Sequence, residues 1–126
     1  MKTILVDAYN TLVTDEGINQ DMYQMLEKFE NKKIILTNAD TEKQVELGLV
    51  DLPYEMFTMS FNPFKSDPNF YTTMLDEYNI AVGDTIYFEH NKEAVESARS
   101  VGIQTFQYDY ENRNVDAVER FLTENL

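Results

Sequence analysis

The 126 residues carry 10 basic and 23 acidic side chains, a formal net charge of −13, and no cysteine. That charge repels nucleic acid and anionic membrane surfaces and excludes both as expected partners, while the lack of cysteine excludes a disulfide framework, a thiolate metal site and a cysteine nucleophile. The length suits one domain with a single core, Met1 and Lys2 leave no room for a signal peptide ahead of the first strand, no apolar run approaches the ~20 residues of a membrane span, and the expected location is the cytoplasm.

The chain opens on Ile4-Leu5-Val6, an unbroken apolar run of the kind found in strands buried on both faces. It stops at Asp7. A carboxylate at the carboxyl end of a central strand sits where open α/β sheets place their ligands; the plainer reading is a helix cap or a structural acid. Val13 to Gly17 reads as a polar turn. Met22, Met25, Leu26 and Phe29 recur at helical spacing and predict a helix from about Ile18 to Asn31. Ile34-Ile35-Leu36 is a second strand, ending at Thr37-Asn38, and Asp40 or Thr41 caps a helix that stops near Gly48.

Leu49 to Phe64 is the least regular stretch. Met56 to Met59 predicts a short strand, flanked by Tyr54, Phe61 and Phe64. These aromatics form either an ordinary cluster under a loop or a pocket wall or dimer patch. Asp67-Pro68 starts a helix whose buried stripe is Phe70, Met74 and Tyr78, with Tyr71 and Leu75. Thr85 to Phe88 is a strong strand ending at Glu89-His90-Asn91. Val95, Ala98 and Val101 mark a helix closed by Gly102, Ile103 to Tyr108 a fifth strand, and Val115, Val118, Phe121 and Leu122 a last helix. Strands alternating with helices predict βαβ units and a parallel sheet.

Polar residues gather just after the strand runs: Asp7, then Thr37 and Asn38, then Glu89, His90 and Asn91. Lys65 lies in the loop before the third helix. In a doubly wound sheet these ends face one crevice. A carboxylate there suits a nucleophile, a hydroxyl and an amide suit an anionic group, and an ammonium suits developing negative charge. Singly, each has a plainer role: Thr37 as a cap, Asn38 as a turn residue, Lys65 as a surface cation.

Four segments in this order resemble the motifs of the haloacid dehalogenase (HAD) superfamily of hydrolases. They are Asp7 to Leu12, Thr37 with Asn38, Lys65-Ser66-Asp67-Pro68, and Tyr87 to Ile103. The resemblance covers nearly the whole chain. It implies a single HAD-like core domain over 1–126, a Rossmann-like three-layer α/β/α fold with a five-stranded parallel sheet of order 3-2-1-4-5, and no cap domain. It implies Asp7 as covalent nucleophile, with Lys65 and Tyr9 as further catalytic residues acting on a small-molecule substrate. Thr11, Thr37, Asn38 and Asn91 are its implied substrate contacts, and Asp7 and Glu89 its implied ligands for Mg2+. Asn10 stands where the family usually has Gly, which predicts a positive φ there.

Two positions depart from the family's phosphatases. Tyr9 replaces the acid that protonates a leaving alcohol, and a phenol of ordinary pKa, about 10, donates a proton poorly at neutral pH. His90 aligns with the usual aspartate ligand, and imidazole suits zinc or nickel better than magnesium. Tyr9 is instead what the 2-haloacid dehalogenases carry, in which a halide leaves with no proton and no metal; the capping insertion of that branch and its Arg are missing here. Three readings follow: a hydrolase of small phosphoesters through an aspartyl intermediate, a catalytically degenerate binding or interaction protein, and a C–halogen hydrolase. Capless relatives act on large substrates or complete the wall by oligomerising, so the aromatic stretch and Tyr108 with Tyr110 make a homodimer an expected assembly.

Overall fold

The computed structural model describes residues 1–126. In chain order the elements are β1 (Thr3–Asp7), β2 (Val13–Thr14), β3 (Gly17–Ile18), α1 (Gln20–Leu26), β4 (Lys33–Thr37), α2 (Thr41–Glu46), β5 (Glu55–Thr58), α3 (Pro68–Tyr78), β6 (Thr85–Glu89), α4 (Lys92–Val101), β7 (Gln104–Gln107) and α5 (Val115–Asn125). The apolar runs beginning at Ile4, Ile34 and Thr85 become β1, β4 and β6, which are buried at every position. A strand with no polar face has to lie between two covering layers, and these three fill the middle of a five-stranded sheet ordered β5-β4-β1-β6-β7. Every pairing in it is parallel. Counting these strands alone, the order is 3-2-1-4-5, as the resemblance implies. The edge strands β5 and β7 keep exposed residues.

Alternate side chains of the central strands point to opposite faces. Ile4, Val6, Ile35, Ile86 and Phe88 meet Met22, Met25 and Leu26 of α1 and Val118 and Leu122 of α5. On the other face Leu5, Ile34, Leu36 and Tyr87 meet Phe70, Tyr71 and Met74 of α3 and Ala98 of α4. The result is the three-layer α/β/α arrangement. Only the β2–β3 hairpin and α1 lie between β1 and β4, so there is no cap. No helix is long and apolar enough to cross a membrane.

Two expectations change in detail. The polar turn at 13–17 is a small hairpin, in which Val13 pairs with Ile18 and is itself buried; Gly17, at φ 113°, allows the reversal. The first helix is shorter than its apolar spacing predicts. Asn19 caps it by accepting from the Met22 N–H at 3.2 Å. Beyond Leu26 the N–H groups of Lys28 and Phe29 reach back only three residues, a tightening typical of a helix end. Asn10 adopts φ 65°, the left-handed conformation expected of it.

Candidate active site

The parallel register pairs Val6 of β1 with Phe88 of β6, so the two strands end side by side on Asp7 and Glu89. Both carboxylates are buried, at 2% and 1% exposure. Burying two acids together requires compensating cations, and the chain supplies two. Lys65 Nζ donates to Asp7 Oδ1 at 2.6 Å and to Glu89 Oε1 at 3.1 Å. His90 Nδ1 lies 2.5 Å from Asp7 Oδ2 and 3.2 Å from Glu89 Oε2. With carboxylate oxygens on that side of the ring, Nδ1 carries a proton and donates.

Neutral donors complete the cluster. Thr11 Oγ1 donates to Asp7 Oδ2 at 2.6 Å, and the His90 main-chain N–H reaches the same oxygen at 3.3 Å. Tyr87 donates its hydroxyl to Glu89 Oε1 at 2.5 Å, and the Asn91 N–H donates to Oε2 at 3.0 Å. Burial pushes the Asp7 carboxyl up, but the Lys65 charge and the His90 contact outweigh it and hold Asp7 well below the usual carboxylate range. Burial likewise works against the Lys65 charge, and the two carboxylates reverse the effect, leaving Lys65 above its ordinary value. His90 follows the same pattern: burial lowers it, while hydrogen bonds to Asp7 and Glu89 raise it to about 9. At neutral pH Asp7 is therefore a carboxylate, Lys65 an ammonium and His90 an imidazolium.

A pocket of about 410 Å³ opens over this cluster. Of the polar residues singled out in the sequence, Asp7, Tyr9, Thr37, Asn38, Lys65, Glu89, His90 and Asn91 line it. Thr37 is buried, and its hydroxyl oxygen accepts from the Ala39 N–H at 3.0 Å. Its hydroxyl proton has no acceptor among these contacts. Asn91 caps α4 by accepting from the Ala94 N–H at 3.1 Å.

Other residues do different work from that expected. Thr11 is fully buried and spends its hydroxyl on Asp7. Asn38 spends its amide on the chain: it donates to the Met59 carbonyl at 2.8 Å and the Pro63 carbonyl at 3.5 Å, and accepts from the Lys65 N–H at 3.0 Å. It therefore holds the loop that carries Lys65. Tyr9 turns its hydroxyl toward the hairpin and donates to Asp15 at 2.8 Å, a contact that pushes its pKa up. The aromatics separate. Phe64 lines the pocket and is exposed, and Tyr110 meets the His90 ring edge-on at 5.1 Å. Tyr54 packs on Tyr23 and donates to Glu27, away from the pocket, and Tyr108 and Tyr71 are core residues.

Tyr87 is the supporting residue that sequence reasoning passes over. Its signal is spacing: in a strand, position i−2 shares a face with Glu89, so a phenol there can reach that carboxylate from within an apolar run.

No family model matches this sequence, and no curated protein sequence does. Solved structures do. One assigned as a β-phosphoglucomutase from Thermotoga maritima superposes with a TM-score of 0.78 over 100% of both chains at 14% identity. A HAD-family enzyme from Bacteroides thetaiotaomicron gives 0.72 over 87% of this chain and 95% of that one at 10% identity. This chain has the HAD-like hydrolase fold. The core domain of a protein assigned as a phosphoglycolate phosphatase from Streptococcus pneumoniae also matches, with a TM-score of 0.59 over 98% of this chain and 96% of that one at 16% identity.

The Bacteroides HAD enzyme was crystallised as an alanine variant with magnesium and inorganic phosphate. Here Asp7, Glu89 and His90 each offer one candidate ligand atom, all within 4.8 Å of one another. Magnesium asks for near-octahedral oxygen ligands, and this donor set does not fit it. Asp7 Oδ1 is held by Lys65, and Oδ2 by Thr11 and His90. Glu89 Oε1 is held by Lys65 and Tyr87, and Oε2 by the Asn91 N–H with His90 beside it. The third member is a protonated imidazole, which has no lone pair at Nδ1 to offer. The expectation of Mg2+ on Asp7 and Glu89 therefore meets carboxylates whose oxygens are already occupied by protein donors.

Proposed function

We propose that this chain is a phosphohydrolase of the HAD type that transfers a phosphoryl group from a small ester to Asp7 and then to water. The observation that carries the reading is the unequal treatment of the two Asp7 oxygens. Thr11 and both the ring and main chain of His90 converge on Oδ2, while Oδ1 takes only Lys65. The less encumbered oxygen is the better nucleophile. Oδ1 attacks phosphorus; the new Oδ1–P bond forms as the bond to the leaving oxygen breaks. Lys65 sits beside the attacking atom to balance charge on the phosphoryl oxygens, and the Thr37 hydroxyl supplies a donor to the same group. Water then attacks phosphorus, returns the electron pair to Asp7 and leaves as dihydrogen phosphate.

Tyr9 limits the substrates. Its phenol is engaged by Asp15 and raised in pKa, so it does not protonate a leaving alkoxide. The favoured substrates carry a leaving group that departs as a stable anion, such as aryl or acyl phosphates. Turnover of p-nitrophenyl phosphate and acetyl phosphate by the wild type should fall by about 10³-fold or more in Asp7→Asn. Equal signals from the two proteins would instead favour a binding module that keeps the fold without the chemistry. A second reading, C–halogen hydrolysis, is favoured by Tyr9, since a halide leaves without a proton. Chloride release from 2-chloropropionate that depends on Asp7 would select it over the phosphatase.

A further inference from the structure

We propose that the His90 ring takes the place of a divalent cation in this site, so that Asp7 and Glu89 are held by its Nδ1–H together with Lys65 and the site works without a metal ion. The role of Asp7 in chemistry rests on the hydrolase reading; the filling of the metal's place rests on contacts alone.

The position is the first argument. His90 Nδ1 stands between the two acids that end β1 and β6, 2.5 Å from Asp7 Oδ2 and 3.2 Å from Glu89 Oε2, where the carboxylates would otherwise be open to a cation. The ring is also fixed. The main-chain N–H of His90 reaches Asp7 Oδ2 at 3.3 Å, Thr11 Oγ1 lies 3.5 Å from Nδ1, and Tyr110 meets the ring edge at 5.1 Å. Asn91, the next residue, is pinned as the cap of α4.

Occupancy is the second argument. Lys65 Nζ already donates to Asp7 Oδ1 and Glu89 Oε1, Thr11 donates to Asp7 Oδ2, and the Asn91 N–H donates to Glu89 Oε2, so every carboxylate oxygen of the pair already has a protein donor. The substitution also changes what binds substrate. A metal can ligate a carboxylate and a substrate oxygen together, whereas the Nδ1 proton of His90 is already spent on the two acids. A phosphoryl group is then left to Lys65 and Thr37.

His90 is the only histidine in the chain, so its ring nitrogens can be read without ambiguity in the 15N-labelled protein. Long-range 1H–15N correlation at neutral pH should show Nδ1 protonated, with ring resonances that stay in place on adding EDTA or about 10 mM Mg2+. A saturable loss of the Nδ1 proton with Mg2+, or with one equivalent of Zn2+, would overturn the proposal. The complementary variant His90→Asp removes the ring and adds an oxygen donor. It should gain Mg2+ binding about tenfold or more tighter than the wild type in a thermal-shift titration. A folded His90→Asp that binds Mg2+ no better than the wild type would overturn the claim that the ring holds the ion's place, and if that variant does not fold, the wild-type spectrum decides alone. Absence of hydrolysis in the Asp7→Asn comparison would remove the catalytic reading and leave these ring measurements unaffected.

Discussion

Asp7 and His90 have opposite responses to acid and base, and together they set a pH window. The folded-state pKa of His90 is raised from an ordinary 6.5 to about 9. The stability it contributes is whole below about pH 6.5 and is lost as pH rises through 9. The pKa of Asp7 is depressed below its ordinary 3.8, so its contribution is present above that value and is lost as pH falls through the folded-state pKa. Urea midpoints measured in metal-free buffer should therefore be highest between about pH 4 and 6.5 and decline toward pH 9.5, and His90→Gln should flatten the alkaline decline. The place of Asp7 at the end of a buried central strand is legible in the sequence because an unbroken apolar run stops at it. The role of Thr11 is not, since whether its hydroxyl faces substrate or carboxylate depends on the turn after β1. That turn is made by Leu12 and Val13 both donating to the Ala8 carbonyl, which no residue pattern announces.

At the level of elements, the junction of β6 with α4 places three members of the buried cluster and its surroundings in consecutive residues. Glu89 ends the strand, His90 supplies the imidazolium, and Asn91 starts the helix. Asn91→Ala removes the cap from the Ala94 N–H and should cost about 1 kcal/mol of stability, measurable by chemical denaturation. The same substitution should disturb the His90 ring resonances, because the Asn91 N–H is fixed on Glu89 Oε2. The central strands are readable in advance because a run such as Ile34-Ile35-Leu36 has few alternatives to a doubly buried strand. The ends of α1 and the β2–β3 hairpin are not, for a physical reason. Val13 is buried and Ile18 partly buried only through each other and the sheet, and Phe29 packs on the core from beyond the helix that its spacing predicts it to extend. Periodicity reports which side chains are buried and does not report where the backbone stops being helical.

Across the whole molecule, the net charge of −13 surrounds a site whose own four charged groups cancel. An anionic substrate therefore approaches against the general field and meets no attractive local one. Screening shortens that repulsion from about 30 Å at 0.01 M salt to about 10 Å at 0.1 M. KM for an aryl phosphate should accordingly fall as ionic strength rises over that range, while kcat changes little. A KM that rose with salt would indicate a cationic approach that the charge distribution does not supply. The order of the sheet was legible from four short motifs taken together. The closed charge balance was not, because it depends on Lys65 and His90 converging on the same two acids from separate parts of the chain.

Asn38 joins the tip of β4 to three points on the loop before α3, through two donated bonds and one accepted bond. Exchanging its amide nitrogen for oxygen, as deamidation does, would set a carboxylate against the Met59 and Pro63 carbonyls, and like poles would part. The loop would lift and draw Lys65 off Asp7. A chemical change of a single atom, with no residue of the charged cluster touched, would be enough to age this protein out of its working state.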